Sequence, residues 1–229
     1  MIKLVVLDMA GTTVADDGLV ERAFTQAIGE VGVAEGAAAF PGMLDYVRRT
    51  MGESKITVFR HLLGGDEGRA QQANQAFERA YAERVADGDC REIDGAAAAI
   101  RRLRDNGIKV ALTTGFSETT QRQIIDALGW GGLTDLTLTP AQAGRGRPYP
   151  DMVLTALLRL GIDDVREVAT VGDTAYDVRS GLRAGASIVA VVLTGAHDRA
   201  AFTEAGATHV LESVRDLPEL VLPAKEDLP

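Results

Sequence analysis

Hydrophobic positions divide the chain into two regions with different periods. Residues 2–7, IKLVVL, form a nearly continuous apolar run that ends at polar residues and a glycine, which is typical of a strand buried on both faces. From about residue 15 to residue 92, apolar positions recur instead at helical spacing, with almost no strand pattern. Stretches such as LVERAFTQAIGEVG and EGRAQQANQAFERAYAERVADG each contain a glycine near their end, so this region predicts three or four consecutive helices.

Beyond residue 94, helical stretches alternate with short apolar runs. The runs that predict strands are IKVALTT, a segment of LTDLTLTP, EVATVGD, ASIVAVVL and THVLES. Such alternation requires crossover connections and a parallel sheet with helices on both faces. We therefore predict an α/β fold in which residues 1–15 and 93–229 form a doubly wound parallel sheet. Residues 16–92 are predicted to form an inserted helical domain after the first strand.

Composition and charge narrow the class of protein. Of the 229 residues, 46% are hydrophobic and 25% are charged, as in an ordinary globular protein. The net charge of −9 argues against general binding of nucleic acid or of a membrane surface, although local positive groups can still bind a small anion. One cysteine allows no intramolecular disulfide, and no apolar run approaches the ~20 residues of a membrane helix. We predict a cytoplasmic protein with no nucleic-acid and no membrane partner.

Polar side chains stand where three predicted strands end. Asp8 follows the first strand, Thr113 and Thr114 end the run IKVALTT, and Asp173 ends EVATVGD. Asp177 follows Asp173 by about one helical turn. Because ligands bind outside the carboxyl ends of parallel strands, we expect these side chains to converge. The alternative for the last two is an acidic pair that complements a helix dipole.

The predicted cluster has the chemistry of a phosphoryl-transfer site. Three clustered carboxylates repel one another unless a cation lies among them, and hard oxygen ligands suit Mg²⁺. The loop AGRGRPYP adds Arg145 and Arg147, and a guanidinium, a threonine and a cation can converge on one phosphoryl anion. A further carboxylate aimed at phosphorus can form an aspartyl phosphate. The predicted partner is therefore a small phosphorylated or phosphonate metabolite.

Four ordered motifs, DMAGTTV, TTG, GRP and GDTAYD, resemble those of the haloacid dehalogenase (HAD) superfamily. The inserted helical region is similar to that superfamily's cap domain, and the rest of the chain to its Rossmann-like core. The resemblance implies that Asp8 is the nucleophile, that Thr113 binds the transferring phosphoryl group and that Arg147 neutralises it. Thr114 competes for the role of Thr113, because the sequence leaves open which hydroxyl points inward.

The resemblance also implies a magnesium site. Asp8, the backbone carbonyl of Ala10 and Asp173 would hold Mg²⁺, and Asp177 would support the metal and its waters. Thr12 would fix the loop that follows Asp8.

Ala10 determines which reaction is favoured. Most HAD phosphatases have a second aspartate at this position, which protonates the ester leaving group and later activates water. Alanine cannot transfer a proton, and an alkoxide leaves poorly without a general acid. The phosphonoacetaldehyde hydrolase, or phosphonatase, branch of the superfamily resembles this chain in having Asp-x-Ala-Gly-Thr-Thr in place of the paired aspartates.

A lysine in the inserted region extends that resemblance. The stretch MGESKI, with Met51 and Lys55, resembles the phosphonatase cap motif whose lysine condenses with the substrate aldehyde. The resulting imine accepts electrons, so that the P–C bond can break. GRPYP and TTGF are also close to that branch, and we predict that Thr12, Met51, Thr114 and Gly115 bind the substrate.

The resemblance is incomplete next to the lysine. Val58 stands where the branch has a histidine, and Phe116 stands where it has a tyrosine. A phosphatase of small phosphate monoesters, such as phosphoglycolate-like compounds, is therefore the alternative prediction, and a non-catalytic binding module with the same fold is a third. A 2-haloacid dehalogenase fits less well, because that branch lacks the metal that Asp173 is suited to hold. An apolar stripe on the cap helices favours a homodimer.

Overall fold

The computed structural model describes residues 1–223 and contains a six-stranded parallel sheet in the order β3-β2-β1-β4-β5-β6. The strands are β1 (Leu4–Asp8), β2 (Lys109–Thr113), β3 (Leu136–Leu138), β4 (Val168–Gly172), β5 (Ile188–Val192) and β6 (His209–Leu211). Residues 224–229, which belong to the predicted core domain, lie outside the described residues. The predicted α/β fold with a parallel sheet is confirmed.

Helices precede or follow every strand. They are α1 (Leu19–Glu30), α2 (Phe40–Arg49), α3 (Lys55–Leu62), α4 (Glu67–Ala86), α5 (Ala96–Asp105), α6 (Glu118–Ala127), α7 (Pro140–Ala143), α8 (Asp151–Arg159), α9 (Ala175–Ala184), α10 (Arg199–Ala205) and α11 (Leu217–Val221). Across residues 1–223, none of them is both long enough and apolar enough to cross a membrane.

Successive residues of β1 belong to two different hydrophobic clusters. Leu4 and Val6 pack in a cluster with residues of α8, whereas Val5 and Leu7 pack in the larger cluster that includes α5. Side chains alternate between the two faces of a strand, so this division shows that helices cover both faces of the sheet. It also explains why the sequence of β1 is continuously apolar rather than alternating.

The chain order of the strands reverses at β1. From β1 the chain passes to β2 and β3 on one side, and then crosses to β4, β5 and β6 on the other. Asp8 is in register with Thr113 of β2, and Leu7 with Val171 of β4. The carboxyl ends of these three strands therefore border the crevice in which open α/β sheets bind ligands.

The helices α1 to α4 pack around an aromatic centre. Phe24 and Phe59 stack with their ring centroids 5.7 Å apart, and Phe77 meets Phe59 edge-on at 6.2 Å. Helix α4 begins at Asp66, whose side chain accepts a hydrogen bond from the Arg69 amide and caps the helix. Amphipathic helices are stabilised mainly by burying such apolar faces against each other.

Two short linkers join these helices to the sheet and lie side by side. The Ala15 amide donates to the Arg91 carbonyl and the Ile93 amide donates to the Thr13 carbonyl, both at 2.9 Å. Arg91 also forms an ion pair with Asp17, at 2.7 Å. The linkers lie near the predicted domain boundaries, which stay a prediction.

Candidate active site

Three buried carboxylates meet at the carboxyl edge of the sheet. Asp8 ends β1, Asp173 follows β4, and Asp177 lies in the first turn of α9. One carboxylate oxygen from each lies within 4.8 Å of the others. The convergence expected from the strand ends is therefore present in the structure.

Burial makes the ionised forms of these groups costly. It raises the pKa of Asp8 to about 6. The charge of Arg147 lowers this pKa, and the charge of Asp177 raises it. Burial and the charges of Asp8 and Asp177 raise the pKa of Asp173 well above its ordinary value. Three carboxylates with one buried guanidinium leave an excess of negative charge, and their oxygen donors fit a hard divalent cation.

Arg147 holds two of the carboxylates in place. Its Nη2 donates to Asp8 Oδ1 at 2.5 Å and to Thr113 Oγ1 at 3.0 Å, and its Nε pairs with Asp177 Oδ1 at 2.8 Å. Its Nη1 donates to the carbonyl of Gly52 in the cap, at 3.3 Å. This buried guanidinium therefore connects Asp8, α9 and the inserted region.

Asp173 is oriented by two donors. Thr12 Oγ1 donates to its Oδ1 at 3.2 Å, and the Ala196 amide donates to its Oδ2 at 2.8 Å. Gly195 lies so close that an added Cβ would be 2.0 Å from Asp173 Oδ2. Sequence reasoning missed this loop, whose only signal is the small residues of TGAH after a strand.

Asp177 has a structural and an electrostatic contact. Its Oδ2 accepts hydrogen bonds from the amide and the hydroxyl of Thr174 and so caps the N-terminus of α9. Its other oxygen faces Arg147. Asp177 therefore lies where a carboxylate complements the dipole of α9 and also contacts Arg147 of the cluster, while its role at a metal stays a prediction.

The two threonines at the end of β2 differ in position. Thr113 Oγ1 donates to the Leu7 carbonyl at 3.2 Å and does not line the cavity above the carboxylates. Thr114 lines that cavity, and its hydroxyl accepts a hydrogen bond from the Phe116 amide. The geometry therefore favours Thr114, rather than Thr113, as the hydroxyl that faces a ligand.

A cavity of about 770 Å³ lies between the sheet edge and the cap. It brings together most of the predicted site residues: Asp8, Ala10, Met51, Lys55, Thr114, Gly115, Arg147 and Asp173. Three others lie behind its wall: Thr12, Thr113 and Asp177. The inserted region thus supplies one side of the cavity and the sheet supplies the other.

Lys55 is the first residue of α3 and is half-buried in the cavity wall. Its Nζ lies 5.9 Å from the ring centroid of Phe77 and 5.7 Å from that of Phe116. Within residues 1–223 this amine has neither a hydrogen bond nor an ion pair. Burial among apolar groups lowers the pKa of Lys55, and the charges of Asp16 and Asp8 only partly oppose this effect. The arrangement therefore eases loss of a proton from the Lys55 ammonium, which would leave a nucleophilic amine.

The cap loop before Lys55 packs directly on the core backbone. A Cβ on Gly115 would lie 2.9 Å from the Glu53 carbonyl oxygen. Gly52 has φ +90°, and a Cβ there would lie 2.6 Å from Thr174 Oγ1. These glycines permit the close approach that encloses the cavity.

A parallel sheet with helices inserted after its first strand and a buried carboxylate cluster at its edge are features of one class of hydrolases. The family model for haloacid dehalogenase-like hydrolases matches residues 2–185, so the chain belongs to this family of enzymes. The resemblance seen in the sequence motifs is confirmed.

Within this family, the chain is similar to proteins with a more specific name. The chain is 27% identical to a phosphonoacetaldehyde hydrolase of Bordetella avium over 253 aligned residues, which cover 96% of this chain and 90% of the relative. A phosphonoacetaldehyde hydrolase of Bacillus cereus is 32% identical over 212 residues, covering 84% of this chain and 76% of the relative.

Solved structures agree on the fold. A phosphonoacetaldehyde hydrolase-like protein from Oleispira antarctica matches with a TM-score of 0.81 and 24% identity, over 96% of this chain and 91% of that one. A candidate phosphoglycolate phosphatase from Lactobacillus delbrueckii matches with a TM-score of 0.78 and 17% identity, over 96% of this chain and 98% of that one.

Proposed function

We propose that this chain is a Mg²⁺-dependent hydrolase that cleaves the P–C bond of phosphonoacetaldehyde or a related small phosphonate. The observation that carries the proposal is the unpaired Lys55 amine in the same cavity as Asp8, with alanine at position 10. The relatives named phosphonoacetaldehyde hydrolase support it.

The carboxylate cluster fits the proposed metal. Asp8, the carbonyl of Ala10 and Asp173 would hold Mg²⁺, with Asp177 behind them, because the donors are all oxygen and the buried charges need a cation. When bound there, Mg²⁺ supplies positive charge that stabilises the phosphoryl oxygens.

In the phosphoryl step, a carboxylate oxygen of Asp8 attacks phosphorus and forms an aspartyl phosphate, which water then hydrolyses. Arg147 would neutralise the transferring group and Thr114 would donate a hydrogen bond to it, which their positions beside Asp8 and in the cavity wall support. We assign this contact to Thr114 because Thr113 is bonded to the Leu7 carbonyl and lies outside the cavity. Thr12 acts indirectly, through Asp173.

Lys55 supplies the electron acceptor that P–C cleavage requires. The Lys55 ammonium loses a proton, the free amine adds to the aldehyde, and loss of water leaves a protonated imine. The electron pair of the breaking P–C bond then moves into the C=N group to give an enamine. The leaving carbon therefore needs no proton from position 10, which agrees with Ala10. Met51 and Gly115 line the same cavity and would enclose the substrate. A cytoplasmic location and a homodimer stay predictions.

Trapping of the imine tests this proposal. Borohydride added to the protein with phosphonoacetaldehyde should leave a stable adduct on Lys55, detected by mass spectrometry of peptides. Lys55→Arg keeps the positive charge but forms no such adduct, and it should lose P–C cleavage by several orders of magnitude. Hydrolysis of an aryl phosphate, whose leaving group needs little protonation, should change little. An unmodified Lys55 in the wild-type protein would refute the imine mechanism.

A phosphatase of small phosphate monoesters is the second candidate. The side chains of Val58 and Phe116, both buried and apolar, favour it because they provide no proton transfer near Lys55. Efficient phosphate release from phosphoglycolate, without an adduct on Lys55, would establish this alternative. Absence of turnover on every small phosphate and phosphonate would instead favour a binding module.

A further inference from the structure

The cavity is lined by more acidic residues than phosphoryl transfer uses. Two of them, Asp8 and Asp173, belong to the carboxylate cluster. Four others form ion pairs with arginines: Asp17 with Arg91, Glu21 with Arg48, Asp94 with Arg215, and Glu212 with Arg199. Among the described residues of the cavity wall, the acids that remain without an ion pair are Asp16 and Glu53.

Asp16 occupies a defined position in the linker between β1 and α1. Its Oδ1 accepts a hydrogen bond from the Val20 amide, at 3.2 Å, in the first turn of α1. The side chain is half-buried, and burial raises the pKa of Asp16 above its ordinary value. A carboxylate held in the cavity wall can accept a proton from one group and return it to another.

Asp16 shares the cavity wall with Lys55, and the two charges interact. Of the charges around Lys55, that of Asp16 raises its pKa most, ahead of the charge of Asp8. Both residues line the same cavity, and the rings of Phe77 and Phe116 flank the amine. These rings carry no group that exchanges protons. A group that carries protons to and from Lys55 therefore has to come from another part of the cavity wall.

Imine formation imposes a proton requirement at this point. The Lys55 ammonium has three protons, whereas the nitrogen of the protonated imine has one. Two protons must therefore move from nitrogen to the carbonyl oxygen, which leaves as water. The carboxylates of the cluster would hold the proposed metal, and Asp8 and Asp177 also contact Arg147.

We propose that Asp16 is the general acid–base of the imine step, carrying protons between the Lys55 nitrogen and the substrate oxygen; this inference rests on the proposed function. Asp16 takes one proton from the ammonium, and the free amine adds to the carbonyl carbon as the C=O π pair moves to oxygen. Asp16 gives that proton to the oxygen and then moves a second proton from nitrogen to the same oxygen. The C–O bond breaks, water departs and the carboxylate is regenerated.

Rapid-quench trapping with borohydride tests the role of Asp16. The wild-type protein and the variants Asp16→Asn, Asp16→Glu and Glu53→Gln are mixed with phosphonoacetaldehyde and quenched at increasing times. The Lys55 adduct is quantified by mass spectrometry, and thermal unfolding of each variant is measured in parallel. Glu53→Gln is the matched control, because Glu53 lines the same cavity and is also unpaired among the described residues.

We expect Asp16→Asn to slow adduct formation by roughly 10²-fold or more, the range typical of a lost general acid–base. Asp16→Glu keeps a carboxylate and should retain most of the rate of adduct formation. Glu53→Gln should form the adduct at the wild-type rate. Adduct formation at the wild-type rate in Asp16→Asn would overturn the role of Asp16 while leaving the imine mechanism intact. Absence of an adduct in the wild-type protein would overturn the imine mechanism itself, and the role of Asp16 with it.

Discussion

At the scale of single residues, Asp8 carries both the proposed chemistry and an electrostatic cost. Its ionised form is unfavourable in the folded protein, because burial raises its pKa to about 6. The same position contacts Arg147, so the carboxylate is held in one orientation toward the cavity. Its neighbours therefore fix the nucleophile in place at the expense of stability when no cation is bound.

We predict that Asp8→Asn abolishes turnover and leaves the fold intact. An amide is nearly isosteric with the carboxylate but is a far poorer nucleophile toward phosphorus. Because the substitution removes a buried charge that repels Asp173 and Asp177, Tm without Mg²⁺ should not fall. Phosphate release and thermal unfolding check the two parts. Wild-type phosphate release by this variant would exclude an aspartyl phosphate.

The two neighbouring threonines provide a matched pair for a second prediction. Thr114→Val should lower kcat/KM by roughly 10-fold or more, since it removes a hydroxyl that faces the phosphoryl group, and its cost in stability should be that of one hydrogen bond, from the Phe116 amide. Thr113→Val should lower the stability by about 1 kcal/mol, because it removes the hydrogen bonds to Leu7 and Arg147. Steady-state kinetics and unfolding curves separate the variants. A larger kinetic loss in Thr113→Val would return the role to Thr113.

At the scale of elements, the end of β2 and the loop before α3 close the cavity through backbone contacts. The Arg147 guanidinium reaches the Gly52 carbonyl, and Gly115 lies against the Glu53 carbonyl. A backbone contact leaves no flexible side chain to move aside, so the cap position depends on the absence of a Cβ at residue 115. These contacts join the two sides of the cavity, the sheet edge and the cap, to each other.

Gly115→Ala tests this dependence. The added Cβ would lie 2.9 Å from the Glu53 carbonyl oxygen. To relieve this contact, the cap loop has to move away from residue 115. We expect kcat/KM to fall roughly 10- to 10²-fold, because small displacements of catalytic groups have effects of this size. Gly131→Ala is the control, since its Cβ would enter open space. Equal kinetics in both variants would show that closure tolerates the contact.

At the scale of the whole molecule, the carboxylate cluster links stability to pH and to the cation. Asp8 has a folded pKa of about 6, above its ordinary value of 3.8. Below pH 3.8 it is protonated in both the folded and the unfolded state, so it contributes no cost. Between pH 3.8 and about 6, the Asp8 carboxyl is ionised in the unfolded state but still protonated in the folded state. The free energy of unfolding therefore falls as the pH rises through this range.

We therefore predict that Mg²⁺ raises Tm more at pH 7.5 than at pH 4.5. The cation binds ionised carboxylates and offsets their repulsion, and at pH 4.5 protons already do so. Thermal unfolding with and without Mg²⁺ at both pH values measures the effect. Asp173→Asn, which removes one proposed ligand, should reduce the increase at pH 7.5. An equal increase at both pH values would contradict a role for these carboxylates in binding the cation.

Much of this organisation is local in the sequence. A buried central strand needs continuous apolar residues, and the run before Asp8 has them, which is why β1 and its polar end were predictable. The helices of the inserted region follow from their own periodicity and end signals, such as the glycine after α1. The carboxylates converge because parallel strands end at one edge, so Asp8 and Asp173 could be placed together without coordinates.

Features of the site that depend on residues far apart in the sequence were decided only by the tertiary structure. Thr113 and Thr114 have the same chemistry in sequence, and only the sheet and its loop place one of them in the cavity. The pKa of Lys55 depends on rings and charges from α4, the end of β2 and the first linker, which no local pattern connects. Asp16 gained a candidate role in the same way. Burial, desolvation and charge coupling arise from three-dimensional proximity, so they become readable only once the chain is folded.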